Sequence, residues 1–260
     1  MNTLSLRSIV LAAAITLLMP EPAWPHGDRD EEKLAEFQLH LDSYQEDVAS
    51  MIDTVAGITN NAAATKADVD ALIQQWEDVS VHEAIEDKAT LAYPGVWQAL
   101  IQLQQAVVAE AGVEDAGESV KAALWQGMGA LRMAATMAVP TDAQSDAEGE
   151  LLSGPESIAA IINDLNSAVA SYVDGDAALA EKTIFDTYEN RFEYLEGDLI
   201  PKDPDLVTAL EADFNATLPL LFKQGADEIA VRRAVANMTT QLETAKTILE
   251  QVEAQRGDVF

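Results

Sequence analysis

The sequence has no cysteine. That excludes disulfides, thiolate metal sites, a lipid-modified cysteine and covalent haem attachment. Proline and glycine are scarce, at 9 and 13 of 260 residues, and aromatics make up only 6 %; few helix breakers in an Ala-, Leu- and Glu-rich chain favour helices. No glycine-rich phosphate loop and no nucleophile triad can be assembled, so the chain is not expected to be an enzyme. Positive charge is also in short supply. Fifteen Lys and Arg stand against 45 Asp and Glu, giving a formal net charge of −30. Such a surface repels nucleic acid and anionic lipid and concentrates cations.

Long apolar runs are absent apart from Ser8 to Met19, too short to span a bilayer comfortably. With Arg7 before it and a Pro-rich stretch after it, this run reads as a secretory signal over residues 1–25, although Pro25 makes the cleavage site irregular. The expected location is therefore the periplasm, with no membrane span left after signal removal. A core of this size needs no disulfide staple.

From Glu31 onward the apolar residues recur at helical spacing and no alternating strand pattern appears. The expected fold is all-α, two duplicated up-down four-helix bundles, with a first repeat at 31–139, a linker at 140–155 and a second repeat at 156–256. In the first repeat, one stripe runs from Leu34 to Val55. A capping-box start at Thr65–Asp68 opens the next helix, Pro94-Gly95 opens a third, and a fourth runs from about Ser119 to Val139. In the second repeat, one helix covers Ile158 to Val173, Asp176 caps another reaching about Leu199, Asp203-Pro204 starts a third, and Asp227 caps the last.

The repeats share a carboxylate pair. Glu83 and Glu86 in Val81-His82-Glu83-Ala84-Ile85-Glu86 are matched, 110 positions on, by Glu193 and Glu196 in Arg191-Phe192-Glu193-Tyr194-Leu195-Glu196. Pro94 and Pro204, and Leu100 and Leu210, keep the same offset. Two glutamates at i and i+3 share a helix face and can aim at one point. Leu72, Trp76, Val79, Glu83 and Glu86 fall at intervals of 4, 3, 4 and 3, so the acids continue a core-facing seam. Ionised carboxylates there need a cation, a proton or water. His82 adds a candidate nitrogen ligand. In the second repeat Phe185, Tyr188, Phe192, Leu195 and Leu199 form the stripe, and Glu189, Glu193 and Glu196 lie one position beside it. Those acids either border a cleft or face water, and Arg191 can neutralise one of them.

Other residues rank lower. His26 belongs to a processed tail, and His40, near Tyr44 and Asp47, is an ordinary bundle histidine before it is a ligand. Trp76, Trp97 and Trp125 sit at core spacings and read as packing.

The segment from Tyr172-Val173-Asp174-Gly175-Asp176 through Tyr188-Glu189-Asn190-Arg191-Phe192-Glu193-Tyr194-Leu195-Glu196 resembles the exported helical domain that precedes some bacterial high-affinity iron permeases. Its Glu-x-x-Glu is also similar to the Arg-Glu-x-x-Glu iron motif of the permease itself. Imelysin-like periplasmic iron-uptake proteins, duplicated helical bundles with a His-x-x-Glu motif, are a looser resemblance. His82 and Glu86 are four apart, so that motif is not met. The resemblance implies binding or delivery of iron, Fe2+ or Fe3+ and without haem, through Glu83, Glu86, Glu193 and Glu196, with a separate inner-membrane iron permease as partner. Hard oxygen ligands equally suit Ca2+, Mg2+ or Mn2+. The alternative is a helical adaptor or sensor that binds another protein and no specific metal.

Overall fold

The computed structural model describes residues 27–136 and 152–257, which are all-helical and contain no strand. The signal-like residues 1–25, His26 and most of the expected linker lie outside the described residues. In chain order the helices are α1 (Gly27–Thr59), α2 (Lys66–Asp78), α3 (Ser80–Lys88), α4 (Tyr93–Val108), α5 (Val113–Thr136), α6 (Gly154–Val173), α7 (177–199), α8 (204–223) and α9 (Glu228–Gly257). None is long and apolar enough to cross a membrane.

The helix starts follow local chemistry. Thr65 and Asp68 close a capping box on α2, and Ser153 and Glu156 close another on α6. Asp176, Asp203 and Asp227 accept from the backbone N–H of Leu179, Leu206 and Ala230 at 2.9, 3.1 and 2.8 Å. Helix α6 ends where Gly175 turns with φ +93°, a conformation glycine adopts without strain. Helix α5 starts at Val113, earlier than its apolar stripe suggested, because the positive-φ turn at Gly112 delivers Glu114 and Asp115 straight into a first helical turn.

Two helices contain a π turn. Residues Tyr188–Phe192 of α7 and Asp213–Thr217 of α8 carry i→i+5 bonding, closed by the N–H of Glu193 on Tyr188 O and of Leu218 on Asp213 O. Such bulges frequently mark functional sites. Here the Asn215 side chain donates to the Glu211 carbonyl at 3.2 Å.

Helix α1 packs on α5 and on the α2–α3 pair, and α4 packs on α2 and α5. Later in the chain, α6 packs on α7 and α9, and α8 packs on α7 and α9. The two sets meet where α4 lies against the π turn of α8. There Gln98 Nε2 donates to Asn215 O at 3.2 Å, and Lys223 Nζ donates to Gln98 Oε1 at 3.0 Å. One apolar core runs through both sets, with Trp76, Trp97, Tyr93, Tyr188, Phe192 and Phe214 among its largest fully buried members. Trp125 is not in it. It faces outward at 45 % exposure, a departure from its expected packing role.

Candidate metal centre

The seam read from α2 is interrupted. Val79 takes an extended conformation, φ −92° and ψ 143°, which ends α2 and starts α3 afresh at Ser80. From α1, Asp47 Oδ2 accepts the Val81 N–H at 3.2 Å and helps hold the new start. The helical phase therefore shifts. Val81, His82 and Ile85 turn inward, whereas Glu83 points to the exposed surface. Glu86 stays half-buried and faces the second half of the molecule.

From Tyr188 onward in α7 the buried residues are Tyr188, Phe192, Leu195, Glu196 and Leu199. Glu196 lies four residues after Phe192, so a core-facing band wider than the narrow 3–4 seam takes it in. Glu193 remains exposed and Glu189 half-buried. Of the five ligands expected from sequence, the structure brings His82, Glu86 and Glu196 into the interior and leaves Glu83 and Glu193 outside it.

Two further acids join them. Glu77, near the end of α2, and Glu211, just before the π turn of α8, come into the same space. The ligand atoms of Glu77, His82 and Glu211 lie within 4.8 Å of one another, and so do those of Glu86, Glu196 and Glu211. Glu211 belongs to both groups. Glu211 is 2 % exposed, His82 6 % and Glu196 8 %.

The hydroxyls of two tyrosines reach in, Tyr93 from α4 and Tyr188 from α7. Tyr188 donates to Glu86 Oε1. The Tyr93 hydroxyl lies 2.7 Å from His82 Nε2 and 3.4 Å from Glu211 Oε1, so its proton serves one or the other. The His82 ring also donates to the Glu77 backbone carbonyl. With Nε2 turned to Tyr93, that donor is Nδ1, which leaves the Nε2 lone pair to accept from the Tyr93 hydroxyl. An imidazole oriented by a backbone carbonyl is the usual support of a metal-binding histidine. Around the polar groups stand Trp76, tilted against His82 at 4.7 Å, and Tyr93, parallel to it at 5.4 Å. Phe192 and Phe214, 5.1 Å apart, complete a dry wall beside Tyr188.

This environment disfavours charge. Burial raises the Glu77, Glu86, Glu196 and Glu211 carboxyls above the ordinary carboxylate range, and repulsion from neighbouring acids, Glu193 and Glu83 in the case of Glu86, adds to it. Glu77 and Glu211 are close enough to share a proton. Burial pushes Glu189 up to about 7 and His82 down to about 4. Glu193 is also raised, first by burial and then by Asp87. No protein N–H or hydroxyl reaches Glu77 Oε1, Glu196 Oε1 or Glu211 Oε2. None of the ion pairs among the described residues involves these four acids.

Other features are less suited to chemistry. Arg191 pairs with Asp164 at 3.0 Å and not with an acid of the centre. His40 is exposed, stacks on Tyr44 and belongs to neither ligand group. A surface cleft of about 360 Å³ lined by Tyr172, Val173, Phe222 and Glu228 shares no residue with the centre.

Glu77 and Glu211 escaped the sequence reading although each carried a signal. Glu211 stands inside the run Val207, Leu210, Glu211, Phe214, Leu218, an acid on an otherwise core-facing stripe. Glu77 follows Trp76 directly, and the helix break at Val79 turns His82 of α3 inward beside it.

No protein-family profile, curated protein or solved structure matches this chain.

Proposed function

We propose that the chain is a metal-binding protein of the periplasm, not an enzyme, and that it holds a divalent transition-metal cation between its two halves. One observation carries this reading. The buried oxygens Glu77 Oε1, Glu196 Oε1 and Glu211 Oε2 have no hydrogen-bond donor, Glu211 shares a ligand group with each of the other two, and no Lys or Arg among the described residues pairs with them. Buried carboxylates without such partners are strongly unfavourable, and a cation supplies what is missing. A donor set of carboxylates plus one neutral imidazole suits iron, manganese or zinc better than Ca2+ or Mg2+, which favour oxygen alone. Iron is the favoured cargo because of the resemblance to permease-associated domains. Delivery to a separate inner-membrane permease follows from the same resemblance.

In this reading the chain is a duplication, with α1 to α5 as one four-helix unit, α2 and α3 together forming one of its helices, and α6 to α9 as the other. Glu86 and Glu196 are then equivalent positions that meet face to face. The remaining donors are not repeated: Thr187, Phe192 and Ile101 stand where Glu77, His82 and Glu211 have their counterparts. One centre shared by the halves, not one in each, is what this asymmetry favours.

Anaerobic calorimetric titration of the metal-free chain with Fe2+, Mn2+ and Ca2+, wild type beside Glu196→Gln, tests the proposal. Saturable binding of Fe2+ or Mn2+ that the variant weakens at least tenfold is the expected result. Weak binding of every cation, identical in both proteins, would leave the acids as packing oddities and favour the adaptor alternative.

A further inference from the structure

The position of Glu211 in both ligand groups carries a second step, which rests on the metal-binding reading above. We propose that the centre is built for two divalent cations bridged by the Glu211 carboxylate, one on Glu77 and His82 and the other on Glu86 and Glu196.

The geometry divides the donors into two sets with one member in common. Donors sharing an ion at about 2.1 Å are at most about 4.2 Å apart. Each set, within 4.8 Å, needs only a small contraction to close on an ion. The oxygens left without a donor follow the same division: Glu77 Oε1 in the first set, Glu196 Oε1 in the second and Glu211 Oε2 in the shared residue. A single site would leave one of these oxygens bare on its far side. Glu211 and Glu196 are both more than nine-tenths buried, so water offers neither a ready substitute.

Charge gives the same count. Once metal displaces their protons, Glu77, Glu86, Glu196 and Glu211 carry −4, and no ion pair among the described residues offsets them. One divalent cation leaves −2 inside an aromatic wall. Two bring the centre to neutrality. The positions differ in chemistry as well: the first has an imidazole nitrogen, the second oxygen alone. The first therefore favours the borderline transition metals, while the second accepts a wider range of hard cations.

The test uses Mn2+, added under argon to the metal-free full chain, with equilibrium dialysis for stoichiometry and electron paramagnetic resonance for coupling. The expected result is two Mn2+ per chain with an exchange-coupled spectrum at saturation. Glu196→Gln and His82→Gln should each retain one ion with an uncoupled spectrum. One Mn2+ per wild-type chain overturns the two-ion centre while leaving the metal-binding reading intact. Two Mn2+ with no exchange coupling overturns the Glu211 bridge. No saturable Mn2+ binding at all overturns both. Wild-type stoichiometry and spectrum decide among these outcomes even if a variant fails to fold.

Discussion

The Tyr188 hydroxyl donates to Glu86 Oε1, joining the π turn of α7 to α3 across 102 residues of sequence. A tyrosine of the second half thus supports a carboxylate of the first. Tyr93 of α4 does the converse, with its hydroxyl 3.4 Å from Glu211 Oε1 on α8. The two rings lie 6.2 Å apart and nearly parallel. The halves are therefore held together at the same place where their acids converge, and what disturbs the centre should also loosen the interface.

Tyr188→Phe removes the donor and leaves the ring. Loss of a buried hydrogen bond to a carboxylate should lower stability by about 1–3 kcal/mol. The loss should be larger at pH 8 than at pH 5, because protonation of Glu86 weakens what the hydroxyl contributes. Urea denaturation of both proteins at the two pH values measures it. An equal loss at both would show that Glu86 draws no charge-dependent support from Tyr188.

The metal-free chain should become less stable as pH rises from about 4.5 to 8. A carboxyl whose folded-state pKa is raised binds more protons folded than unfolded, so the unfolded form gains as those protons leave. Glu189 at about 7 and Asp213 at about 6 contribute in this window, as do the raised Glu77, Glu86, Glu196 and Glu211. His82, lowered to about 4, acts oppositely: its contribution is present above about 6.5 and fades as pH falls toward 4. One imidazole against seven raised carboxyls, Glu193 included, leaves the net slope downward. Tm measured with chelator present should fall by roughly 5 °C or more across the window. Saturating metal should flatten that slope, since bound carboxylates no longer need their protons. A Tm that rises through this range would mean the acids are solvated.

Much of the architecture was legible because helix starts are local chemistry. The capping residues at Thr65, Asp176, Asp203 and Asp227 all stand where their side chains predicted. The break at Val79 was not legible. It involves no glycine or proline, and part of its support, Asp47, comes from another helix 34 residues earlier. That single break moved Glu83 out of the interior and His82 into it. Of each i/i+3 pair, one member, Glu86 or Glu196, lies in the cluster, while the other, Glu83 or Glu193, is exposed. Glu211 required the opposite reasoning, an acid on an apolar stripe with no repeat equivalent.

That division of the glutamates can be measured directly. Replacing Glu83 and Glu193 together by Gln should alter metal affinity by less than about threefold, since exposed charges are screened and act weakly. Replacing Glu86 and Glu196 together should weaken binding by about 100-fold or more, near 3 kcal/mol. Paired titrations with Mn2+ distinguish the two variants. Equal weakening would return the exposed pair to the ligand shell.

The central claim is tested most directly by anomalous diffraction from crystals of the metal-free chain soaked in Mn2+ or Fe2+. The account predicts strong anomalous density among Glu77, His82, Glu86, Glu196 and Glu211, within bonding distance of Glu211. Density confined to exposed acids such as Glu83 or Glu193, with the buried carboxyls unchanged beneath a saturating soak, would contradict it.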